Sequence, residues 1–272
     1  MRRAALLFAY SLKRVRTLAI TTGILLAALQ LVLIFVAGSI QTSGGFAQLA
    51  TLIPPFARQL LGPSVAIFMS FSGVVCLGYF ELAVMGALIA LSITLATTPA
   101  SEVEIGFMDL ILARPLARHW IITRTIALTT VVSAFMLGLM MAGTWIGLRL
   151  FAPEGVEWPS ATLINSLAIN LGLLTLCWGG VAMAIGAASR RRSVAGGAAG
   201  LLAFATFLLD YVARLWQPAE KIAWLSPFRY YNPFDLITGN ALPLKNLLVL
   251  GGIALVGFAA AYVLFARRDV SH

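Results

Sequence analysis

Lysine, histidine and cysteine are almost missing from this chain. Three lysines (Lys13, Lys221, Lys245), two histidines (His119, His272) and two cysteines (Cys76, Cys177) occur among 272 residues. No Gly-Lys dipeptide exists, so a phosphate-cradling P-loop is excluded. Two distant histidines cannot build HExxH or a related zinc constellation, and no GxSxG elbow is present. Each cysteine sits alone in an apolar run, where it reads as a small hydrophobe and neither a disulfide nor a metal ligand. Charge is scarce too. Asp, Glu, Lys and Arg make up 11% of the chain, and Glu81 is the one acid well inside an apolar run. A carboxylate dyad for hydrolysis within a membrane is therefore lacking. The chain is expected to have no catalytic, cofactor-binding or metal site, and any energy source would lie in a partner or an ion gradient.

What it has in abundance is apolar sequence. At 60% hydrophobic residues and a mean hydropathy of +0.94 it falls in the membrane class. Six runs approach the ~20 apolar residues a bilayer requires: 18–40, 71–98, 121–150, 162–189, 194–216 and 247–266. They predict an all-α integral membrane protein of six transmembrane helices, forming a single domain over 1–272. With both termini cytoplasmic, 13 of the 19 basic residues fall on the inner side, which the positive-inside rule favours. The formal charge of +9 then meets anionic lipid headgroups, and no nucleic-acid partner is implied. Residues 1–16, MRRAALLFAYSLKRVR, read as an amphipathic helix lying on the inner leaflet, with Leu6, Leu7, Phe8 and Leu12 in lipid.

The segment from Ser101 to Arg118, SEVEIGFMDLILARPLAR, interrupts the apolar runs with a cluster of charge. It reads as a short helix with both ends specified. Ser101 and Glu104 have capping-box spacing, Glu102 and Glu104 suit the first turn, Arg114 suits the last, and Pro115 stops it. Val103, Ile105, Met108, Ile111 and Leu112 form one apolar side, with Glu102, Gly106 and Asp109 on another. Such a helix is a surface suited to being held by another protein.

This segment resembles the loop after the second span of type-2 ATP-binding-cassette (ABC) exporter permeases, in which Glu, Gly, an acidic-Leu-Leu group, Pro and Arg recur at matching spacing. Phe107 departs from the small hydroxyl residue usual after the glycine. The basic N-terminal helix, the six spans, SPFRYYNP at 226–233 and the closing Arg-Arg-Asp at 267–269 also resemble that family. The resemblance implies a coupling helix over 101–118 whose Glu102, Glu104, Gly106, Asp109, Arg114, Pro115 and Arg118 meet a separate ATPase subunit. That subunit would bind ATP and Mg. It further implies a second permease chain, a homodimer in the simplest case, residence in the cell (inner) membrane, and short re-entrant outer helices before the last span.

Other features carry two readings each. Glu81 is either a residue lining the translocation path or a hydrogen-bonded packing residue near a bend. Asp210 and Arg214, four apart, can pair on one helical face, as a structural pair or part of a substrate site. The aromatic segment 211–245 reads as an interfacial belt. Arg190, Arg191 and Arg192 read as a topology anchor. Gly143/Gly147 and Gly196/Gly200 are GxxxG spacings that permit close helix approach. The functional expectation is a permease subunit that forms a path and couples it to a partner ATPase. Its rivals are a gradient-driven secondary transporter using Glu81 and a non-transporting membrane scaffold.

Overall fold

The computed structural model describes residues 2–46, 48, 70–104 and 119–267. Among them the chain is helical, with short connections and no strand. Six helical stretches are long and apolar enough to cross a membrane: Phe8–Thr42, Phe71–Ala96, His119–Phe151, Ala161–Ala188, Arg192–Ala213 and Leu244–Ala266. A segment surrounded by hydrocarbon must satisfy its own N–H and C=O groups, and a helix does so. Five of the six stretches match the apolar runs to within three residues at either end.

The first does not. Helix α1 is one element from Arg2 to Thr42, 41 residues long. The separate interfacial helix expected over 1–16 is instead continuous with the first span, because residues 2–22 hold no glycine or proline to stop it. At 1.5 Å per residue α1 is about 62 Å long, roughly twice the thickness of a bilayer core.

The second span differs in the opposite sense. It is broken into α2 (Phe71–Leu77) and α3 (Leu82–Ala96) by a turn through Gly78, Tyr79 and Phe80. Pro99, which has no N–H to donate, follows the end of α3 and sits in the first turn of α4 (Thr98–Glu104). After α5 (His119–Phe151), α6 (Ala161–Ala188) and α7 (Arg192–Ala213) come α8 (Gln217–Glu220) and two 3-10 turns. Then follow α9 (Pro233–Ile237) and α10 (Leu244–Ala266).

Helix α6 is the hub, packing against α3, α5, α7 and α10, and its Leu171, Leu174, Cys177 and Trp178 are buried. Two helix pairs run parallel and very close. In the α1–α5 pair the contacts advance together, Gly23 on Leu139 and Gly38 on Phe151. A Cβ added at Gly143 would lie 2.7 Å from the Cα of Ala27. In the α6–α10 pair a Cβ at Gly257 would lie 2.4 Å from the carbonyl carbon of Gly180. The Gly143/Gly147 spacing thus joins helices of one chain. Gly196 and Gly200 have nothing within 4 Å of an added Cβ.

The end of the bundle where α3 stops and α5 and α7 begin is the near end. There Thr123, close to the start of α5, meets Tyr262 near the end of α10, hydroxyl to hydroxyl at 2.7 Å. The opposite end is the far end.

Candidate functional site

At the near end, the segment after α3 is bolted to two spans. Glu102 is buried, and both its carboxylate oxygens accept from one guanidinium nitrogen of Arg124, at 2.5 and 2.6 Å. Arg124 is buried as well and stands one and a half turns into α5. Glu104 accepts the backbone N–H of Arg192 at 3.0 Å, and Arg192 donates from its guanidinium to the Thr94 carbonyl at 3.2 Å. Two local expectations are corrected here. The helix starts at Thr98, so Ser101 lies inside it and forms no capping box. Glu102 faces inward and spends its charge on Arg124, because an unpaired carboxylate at that depth would be costly. Gly106, Asp109, Arg114, Pro115 and Arg118 lie outside the described residues.

Glu81 sits at the break in the second span and is the N-cap of α3. Its Oε2 accepts from the N–H groups of Ala83 at 2.6 Å and Val84 at 3.2 Å. A helix start inside a span leaves N–H groups without partners, and a carboxylate there satisfies them and suits the helix dipole. The geometry is that of the packing residue near a bend.

The α3–α7 seam is where the bundle is open. Four adjoining cavities run its length. The first, about 620 Å³, lies at the near end between Thr94, Thr97, Glu104, Arg192 and Gly196. It shares Ala90, Ile93 and Gly200 with a second of about 330 Å³, which has an apolar wall including Ile89, Ala203 and Phe204. That one shares Leu82, Met85, Phe207 and Phe228 with a third of about 270 Å³. The third shares Asp210 and Arg214 with a fourth of about 380 Å³ at the far end. Helix α7 has 22 residues, about 33 Å, so this groove spans the height of a bilayer core. Small residues make the room: Gly86, Gly196 and Gly200 have nothing within 4 Å of an added Cβ. The groove is apolar in its middle and charged at both ends. It therefore fits an amphipathic molecule better than an ion or a sugar.

The far end closes over this groove. Ser226 donates to the carbonyl of Thr206, two turns inside α7, at 2.8 Å. Phe228 is buried with its ring 5.4 Å from Phe207 and 5.8 Å from Trp178. Tyr231, whose phenol burial pushes above its ordinary range, is a neutral donor to the Tyr79 carbonyl at 2.5 Å. The aromatic segment thus divides. Tyr211, Trp216 and Trp224 are exposed in the manner of a belt, whereas Phe228 and Tyr231 belong to the core. Asp210, buried, accepts from Nε and one Nη of Arg214 at 3.2 and 2.8 Å.

The sequence reading missed Arg124, Phe207, Phe228, Arg229 and Lys245 as members of these sites. For Arg124 a signal was present: an arginine inside an apolar run needs a partner, and Glu102 is near in sequence. The others are joined only by the fold. Comparison with known protein families, with curated proteins and with solved structures finds no match.

Proposed function

We propose that this chain is the membrane-spanning permease subunit of an ATP-driven exporter, working with a second copy of itself and a separate ABC ATPase subunit. The observation that carries the reading is the α3–α7 groove, which is apolar in the middle, charged at its ends and as tall as a bilayer core. A second copy facing the groove would close it into a path. The segment after α3 supplies the drive. It follows directly on α3 and is tied by Glu104 to α7, the two walls of the groove, and by Glu102 to α5 behind them, so a push on it moves these helices as rigid elements. In this reading the near end is cytoplasmic, α8 to α9 dip into the outer leaflet, and Asp109, Arg114 and Pro115, outside the described residues, belong to the surface that meets the ATPase.

The gradient-driven alternative gains nothing from the placement of Glu81, whose Oε2 caps α3 by accepting from two backbone amides. The test is co-purification from native membranes. Wild-type chain should bring down an ATPase, and Asp109→Arg should lose it while still inserting. Glu102 is unsuited to this test because its replacement would strand Arg124. Absence of an ATPase from both samples would sink the exporter reading.

A further inference from the structure

We infer that the far-end cleft is a binding site for the anionic headgroup, a phosphate or carboxylate, of a chain-bearing amphiphile. The inference rests on the reading of the groove as a path and names the class of molecule that occupies it. The cleft, about 380 Å³, is lined by Arg214, Arg229 and Lys245 against a single acid, Asp210. Asp210 is already engaged, since it holds Arg214 by Nε and one Nη and leaves the other Nη without a partner among the described residues. Arg229 has only a loose 3.9 Å contact with the exposed Glu220, and Lys245 has no acidic partner among the described residues. Three cations thus face one neutralised carboxylate, which leaves an excess of positive charge where an anion can be held.

Two further features point to a ligand. Asn246 is only 9% exposed and lines the cleft, yet its side-chain amide makes no hydrogen bond among the described residues. The amide opens onto the cleft, where a bound oxyanion would accept from its N–H₂. Lys245 and Asn246 also lie in the first turn of α10, whose N-cap is Pro243 with no side-chain hydrogen bond. The N–H groups of Asn246 and Leu247 already donate to the Pro243 carbonyl, so what that turn offers an anion is its positive dipole. The apolar cavity that shares Asp210 and Arg214 lies against the cleft, with Phe80, Phe207 and Phe234 in its wall. A headgroup at the cations would leave its hydrocarbon chain in that cavity. Free phosphate would use the first part only, and a neutral lipid the second part only.

The test uses the intact chain in a non-ionic detergent and needs no ATPase, so it can fail or succeed independently of the co-purification above. Binding of dioctanoyl phosphatidic acid is titrated beside dioctanoylglycerol and inorganic phosphate. Expected is saturable binding of the phosphatidic acid, weakened by salt, with neither of the other two binding as well. Lys245→Gln and Arg229→Gln should each weaken it about tenfold or more. Lys245→Arg should restore it, and Arg149→Gln, an exposed cation elsewhere at the far end, should leave it unchanged. Melting of each variant in the same detergent separates a lost site from a lost fold. Equal binding of the diacylglycerol, equal binding of inorganic phosphate, or unchanged affinity in a well-folded Lys245→Gln would each overturn the proposal.

Discussion

At the scale of the residue, the pair that matters most is Glu102 with Arg124. Both side chains are more than nine-tenths buried, so neither can shed its charge into water if the other is removed. Replacing Arg124 by Met should cost roughly 3–5 kcal/mol through the stranded Glu102 carboxylate. The exchange Glu102→Arg with Arg124→Glu should regain part of that loss. Melting of wild type and the two variants in detergent checks this, and equal stability of wild type and Arg124→Met would mean that the pair does not form. The sequence made Glu102 visible as a charge with a purpose, but not which way it faced. Its helix begins at Thr98, ahead of the Ser101 that the capping box pointed to, and Glu102 lies on the side that meets Arg124 of α5. Glu81 was legible as an acid in an apolar run. A bend near it was one of two readings, and the break itself could not be placed, because hydropathy does not register a turn when the pieces on both sides are equally apolar.

At the scale of the element, glycine decides which helices touch. Gly143 and Gly257 stand where another backbone comes within reach of a missing Cβ. Gly143→Val and Gly257→Leu should each push a helix pair apart and cost about 1–3 kcal/mol. Gly196→Ala, with open space around it, should be neutral or stabilising by up to about 1 kcal/mol. Thermal unfolding of the three in one detergent tests the contrast, and equal losses at Gly196 and Gly143 would contradict the packing described. The two GxxxG spacings look alike in the sequence. One is spent inside the chain, on α1, and the other opens on the groove, a distinction made by the fold and not by the local pattern. The helices themselves were readable, since a run of ~20 apolar residues has few other ways to satisfy its backbone. The length of α1 was not, for the basic residues between Lys13 and Arg16 suggested a boundary that a helix can simply run through.

At the scale of the whole molecule, the account rests on a groove that belongs to no single element. Leu82 to Thr97 of one wall and Arg192 to Arg214 of the other are far apart in sequence, and the far-end cap at Phe228 comes from a third segment. No spacing rule joins such residues, so the groove could not be read before the fold was known, whereas the segment after α3 drew notice by its charges. The central claim is that this groove opens and closes with ATP. Gly200→Cys, placed at the junction of two of the cavities in a Cys76→Ala/Cys177→Ala background, reports on it directly. The measurement is the rate of labelling by a water-soluble maleimide in membranes holding the assembled complex, with and without Mg-ATP and vanadate. Glu154→Cys, exposed in the connection between α5 and α6, is the control. The account predicts that trapping with ATP and vanadate slows labelling at Gly200→Cys and leaves Glu154→Cys unaltered; an unchanged rate at Gly200→Cys in a complex that hydrolyses ATP would contradict it.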